Sequence, residues 1–146
     1  MNRTKLFILA LAGMFTMSCA TDTVDQAGSA TAETAAMRKF VNTPEKAVQG
    51  ELIIYVDDAT ARQIEASEVV TRSGVTALDA VAVEIGAEQL KPVFNLKVNA
   101  DRKRELGMHR WYTMTMPESV DLDAAAKTLA SLDVVERVQF STQVET

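Results

Sequence analysis

Two side chains with versatile chemistry occur once each in the 146 residues: one cysteine, Cys19, and one histidine, His109. A single thiol cannot close an intrachain disulfide or build a thiolate metal cluster. A single imidazole excludes any site that needs two or more histidines. His109 opens HRWYTMTM, residues 109–116, which reads as a strand. A general base there needs a Ser or Cys nucleophile beside it, and the sequence places none. Glu118, Asp121 and Asp123 could hold a cation, but their positions around a helix start fit capping and dipole complementarity better. Arg102, Lys103 and Arg104 form a basic cluster. It reads as a docking patch, a proteolytic nick site or, the favoured reading, a solvated loop. There is no phosphate loop. The expectation is a protein that is not an enzyme and takes no cofactor and no metal.

The elements that must position these residues come from a chain of ordinary globular composition. Apolar residues make up 47%, charged residues 24% and aromatic residues 5%, so the core must rest on Val, Leu, Ile, Ala and Met. The net charge of −5 argues against nucleic acid as a partner. The length suits one domain.

Residues 1–18 read as an export signal. Arg3 and Lys5 are a positive start, and Leu6 to Met17, LFILALAGMFTM, is an uncharged apolar run of twelve residues. That is short for a membrane span and right for a signal core. TMSC, residues 16–19, resembles a bacterial lipobox, in which the Cys is acylated and becomes the new N-terminus. The competing reading is an ordinary signal peptide with an incidental Cys. Lipidation is favoured because the chain's only Cys falls where a lipobox needs it. The expected product is an exported lipoprotein of the bacterial cell envelope, held to the membrane by lipid on Cys19. Loss of residues 1–18 leaves thirteen cations against twenty acids, a net charge of −7.

Residues 19–43 read as the lipidated Cys and a flexible tether: ten of the seventeen residues from Ala20 to Ala36 are Ala or Thr. Residues 44–146 read as one domain. GELIIYVD, residues 50–57, carries apolar residues on both faces and suits a central strand. Asp57 to Thr60 supply turn and N-cap chemistry, with a short helix through Ala61 and Ile64. Arg72-Ser73-Gly74 breaks the chain. Val75, Leu78, Val81, Ala82 and Ile85 then form one helical stripe, with Gly86 at its C-cap. Gln89 to Val98 reads as a strand that Pro92 confines to a sheet edge. Asn99 to Gly107 reads as a charged connection, and His109 to Met116 as a strand ended by Pro117. Asp121 caps a helix to Leu132, and Val134 to Val144 is the last strand. Met114 and Met116 read as core filler. Trp111 and Tyr112, as strand neighbours, point to opposite faces, one to the core and one to an interface; which is which stays open.

The order β-α-β-β-α-β predicts an α+β, ferredoxin-like fold: a four-stranded antiparallel sheet of order 4-1-3-2 with two helices on one face.

The block MHRWYTMTMPESVDLDAAAKTLASLDVVERVQF, residues 108–140, resembles the N-terminal prodomain of subtilisin-like serine proteases. PVFNLKVNADRKRELG before it and GELIIYVD upstream extend the likeness to about residues 38–146. It is similar in particular to the secreted subtilases of Bacteroidetes-type bacteria, which are often lipoproteins. The resemblance implies a folding chaperone and protease inhibitor. Its partner is a subtilisin-like serine protease, supplied in cis by a longer precursor or met in trans. The sheet face without helices would pack on the protease, with Tyr55, Trp111 and Tyr112 as contact candidates. The tail Ser141, Thr142, Gln143, Val144, Glu145 and Thr146 would enter the substrate cleft as a product-like strand. No Gly-Thr-Ser-Met-like nucleophile segment is present, so the chain supplies no subtilase triad of its own. The alternative reading is a lipid-anchored, ferredoxin-like binding module with an unrelated protein partner.

Overall fold

The computed structural model describes residues 31–67 and 72–143. Among the described residues from 47 onward there are four strands and four α-helices, with two helices in succession between the first and second strands. They are β1 (Ala47–Val56), α1 (Asp58–Ala66), α2 (Thr76–Glu84), β2 (Gln89–Pro92), α3 (Ala100–Glu105), β3 (Trp111–Thr115), α4 (Leu122–Ala130) and β4 (Val135–Thr142). The sheet is antiparallel with order β2-β3-β1-β4, as expected, and helices pack on it in a ferredoxin-like arrangement.

Period-two alternation builds the core. Leu52, Ile54 and Val56 of β1 point inward with Tyr112 and Met114 of β3 and Val138 and Phe140 of β4, and all are buried. Leu78 and Val81 of α2 and Leu122, Ala125, Ala126 and Leu129 of α4 complete the core. The small alanines let the α4 backbone lie close to the sheet. Asp121 caps α4 by accepting from the Asp123 and Ala124 amides at 3.0 and 3.2 Å. Asp57 caps α1 through the Thr60 amide at 2.6 Å. Asp79 reaches back from α2 to accept from both the amide and the hydroxyl of buried Ser73, each at 2.7 Å. Gly50 sits at a register shift in β1 with φ +77°, where a Cβ would lie 2.6 Å from the Met116 carbonyl oxygen.

Four expectations are corrected. The strand expected over residues 89–98 stops at Pro92. After Val93 donates to the Trp111 carbonyl at 3.0 Å the chain leaves the sheet, and Asn95 turns it by accepting from the Lys97 amide at 2.8 Å. The connection over 99–107 contains α3, which buries none of its residues and so left no apolar stripe to read. His109 lies in a 3-10 turn, Met108–Arg110, rather than in β3.

Finally, the stretch read as tether is structured at its end. Residues 31–37 are helical, and residues 39–42 lie along the outer edge of β4. The Lys39 carbonyl accepts from the Val138 amide, and the Val41 amide donates to the Val138 carbonyl, both at 2.9 Å. The Asn42 side chain accepts from the Phe140 amide at 2.8 Å and donates to its carbonyl at 2.9 Å, imitating a strand neighbour. Phe40 stacks on Phe140 at 6.1 Å between ring centres. Apolar contact and unpaired β4 backbone together recruit this segment.

Candidate functional site: the outward face of the sheet

The outward residues of the two central strands are Glu51, Ile53 and Tyr55 on β1 and Trp111, Thr113 and Thr115 on β3. None is buried, whereas every inward neighbour between them is. Tyr55 and Trp111 are direct cross-strand partners, and their rings meet at 4.7 Å between centres with a 46° tilt. Such a pair adds about 0.5–1.5 kcal/mol beyond its buried area.

Three further groups hold Tyr55 still. The Arg110 guanidinium lies 4.2 Å over its ring. Arg110 is itself pinned, donating through Nε to the Val56 carbonyl at 2.7 Å and pairing with Glu136 at 2.6 Å. Arg137 stands 5.9 Å from the same ring. Gly107, at φ +71°, lies beneath the phenol: a Cβ there would meet Tyr55 Oη at 2.8 Å. The result is a rigid, half-buried aromatic platform flanked by two arginines. Aromatic and arginine side chains of this kind are enriched among the anchors of protein interfaces.

Of the aromatic contact candidates, Tyr55 and Trp111 therefore lie on this face, and Tyr112 does not. Tyr112 is 2% exposed, and its hydroxyl donates to the Ala61 carbonyl at 3.4 Å. Burial, with a smaller contribution from Glu65, pushes its phenol up to about 12. Trp111 and Tyr112 are thus resolved: the tyrosine serves the core and the tryptophan faces out.

The tail divides as well. Ser141 and Thr142 belong to β4, with Thr142 opposite Ala47, so they do not overhang the domain. Gln143 is exposed beyond the strand. Val144, Glu145, Thr146 and Cys19 lie outside the described residues.

Among the described residues, all the charged ones singled out in the sequence except Glu118 have structural partners. His109 is 6% exposed, and its Nε2 lies 2.8 Å from Asp58 Oδ1, joining the 3-10 turn to α1. That hydrogen bond holds the Asp58 carboxyl below the usual carboxylate range, with Arg62 and Arg110 assisting against desolvation. Asp121 is spent on its cap, and Asp123 pairs with Lys127 at 2.7 Å, which raises the Lys127 pKa. Arg102 pairs with Glu105 at 3.0 Å, Lys103 donates to the Asn95 carbonyl, and Arg104 pairs with Glu65 at 2.9 Å. Among the described residues no cluster of three or more His, Cys, Asp or Glu is placed to hold a metal ion. Nor is any described helix long and apolar enough to cross a membrane.

No protein family, curated protein or solved structure matches this chain.

Proposed function

We propose that the chain is a subtilase prodomain-like module that binds a subtilisin-like serine protease, in cis or in trans, and inhibits it and assists its folding. Lipid on Cys19 would hold the module at the membrane after export. The observation that carries the docking surface is the unburied outward face of β1 and β3 with its fixed Tyr55–Trp111–Arg110 platform. Both sheet edges are poor alternatives. Residues 39–42 occupy the β4 edge over Val138 and Phe140. On β2, Val93 donates inward to Trp111, so alternation turns the Pro92 nitrogen, which has no hydrogen, to the free edge. A partner is left with the face.

The test is inhibition of a purified subtilase by the full chain, with Trp111→Ala and Tyr55→Ala beside it. Loss of one interface anchor is expected to weaken inhibition by at least about tenfold, or about 1.4 kcal/mol. Full-strength inhibition by both variants would remove the sheet face as the docking surface. Absence of inhibition by the unaltered chain would favour the alternative, a binding module with an unrelated protein partner.

A further inference from the structure

A groove of about 840 Å³ runs along the β2 edge of the molecule, on the helix side of the sheet and away from the Tyr55–Trp111 platform. Ile64 from the end of α1, Leu90 from β2, and Val93, Phe94 and Leu96 from the following loop form its apolar walls, with the Tyr112 ring behind them. Val93 and Phe94 are 39% and 37% exposed, so the apolar wall they form is open to an occupant. The volume falls in the range of about 300–1,000 Å³ that small-molecule sites occupy.

The charges at this groove run against those of the whole chain. Arg72 and Lys97 line it, and among the described residues neither forms an ion pair. Lys91 borders it through the strand, but stands opposite Thr113 and so shares the outward face of the sheet. Among the described residues the one acid in the lining, Glu65, is already committed to Arg104 at 2.9 Å. In a chain of net charge −5, two uncommitted cations beside one apolar groove call for an anionic occupant with an apolar body. Main-chain recognition contributes little here. With Pro92 turned outward, the Leu90 amide is the one donor the β2 edge offers an added strand, beside the Leu90 and Pro92 carbonyls. That disfavours an extended peptide and leaves a ligand recognised by apolar contact and charge.

We propose that this groove binds a single-chain anionic amphiphile, a long-chain carboxylate. Its hydrocarbon chain lies against Ile64, Leu90 and Phe94, and its carboxylate meets Lys97 and Arg72. The site is separate from the outward sheet face, so ligand and protein partner can be bound together.

The test is equilibrium dialysis of the full chain against palmitate below its micelle concentration, with hexadecanol as the uncharged analogue. Two variants carry the argument: Arg72→Glu with Lys97→Glu, and Phe94→Ala. All three positions are exposed, and circular dichroism melting verifies their folding. Every arm keeps residues 1–30, so a difference between arms belongs to the groove. Expected is saturable binding of palmitate that falls by about tenfold or more in both variants. Hexadecanol binding should fall in Phe94→Ala alone. No saturable palmitate binding, or equal binding by all three proteins, would overturn the proposal. So would Arg72- and Lys97-dependent binding to phosphatidylcholine vesicles containing phosphatidylglycerol with none to palmitate monomers, which would identify a lipid surface instead.

Discussion

Tyr112 and Trp111 share a peptide bond, yet one side chain is sealed in the core and the other stands on the outer face. The sealed phenol has a measurable consequence. Burial pushes it up to about 12, while an unfolded tyrosine ionises near about 10. Between those values the folded chain keeps a proton that the unfolded chain has released. Linkage then makes the stabilisation from neutral Tyr112 complete below about pH 10 and lost as the pH rises towards about 12. Denaturation midpoints followed across that range should fall in the native chain and fall less steeply in Tyr112→Phe. Identical alkaline limbs would mean that water reaches the phenol in the folded state. The parity of this strand was legible in part. Tyr112, Met114 and Met116 alternate with Trp111, Thr113 and Thr115, so the tyrosine shares its face with residues already read as core filler. In β1 no such signal exists, because Ile53 and Tyr55 alternate with Leu52, Ile54 and Val56 and both parities are apolar. The Arg110 and Gly107 supports of Tyr55 were not legible. They depend on where a 3-10 turn delivers the chain beneath the ring, which no local pattern encodes.

At the scale of elements, long patterned segments were readable and short or unpatterned ones were not. The central strand, the Asp121-capped helix, the last strand and the sheet order follow from apolar periodicity, capping and right-handed crossovers. The brevity of β2 does not, because its continuation Phe94-Asn95-Leu96-Lys97-Val98 alternates like a strand while Phe94 and Leu96 line a groove instead. The strap over β4 was hidden for another reason. Asn42 satisfies the Phe140 backbone with a side chain, 98 residues away in sequence. The end of β4 matters for mechanism, since Ser141 and Thr142 are strand residues and Gln143 is the first described residue beyond the ladder. Two truncations separate the roles. A chain ending at Thr142 should melt at the same temperature as the full chain and inhibit a subtilase about tenfold less well, or about 1.4 kcal/mol. A chain ending at Phe140 loses the pairing of Thr142 with Ala47 and should melt earlier as well. Equal inhibition by the full chain and the chain ending at Thr142 would refute the cleft-blocking tail, and equal melting of all three would show that the last two residues of β4 contribute nothing to the sheet.

For the molecule as a whole, the sheet is finished on three sides and left open on one. Helices α2 and α4 seal the inner face, residues 39–42 strap the β4 edge, and Pro92 blunts the β2 edge. Among the described residues no helix seals the outer face of β1 and β3, whose outward side chains are only partly buried. A domain of this size is held by a small surplus of burial over chain entropy. A partner that covers the open face binds the folded chain and not the unfolded one. Folding and docking are then linked by mass action, and apparent stability must rise with the concentration of free partner. At a hundredfold excess over the dissociation constant the gain is about 2.7 kcal/mol. For a domain of about 100 residues that corresponds to a rise in melting temperature of roughly 10 °C or more. The measurement is a melting scan of the full chain with and without a catalytically inactive subtilase, repeated with Trp111→Ala. The native chain should shift upward with subtilase concentration, and Trp111→Ala should need at least about ten times more subtilase for the same shift. Loss of the Tyr55–Trp111 contact lowers the variant's own melting temperature, so each shift is read against the same protein's scan without subtilase. A melting temperature that ignores the subtilase at every concentration would leave the open face without this partner, whatever the tail does.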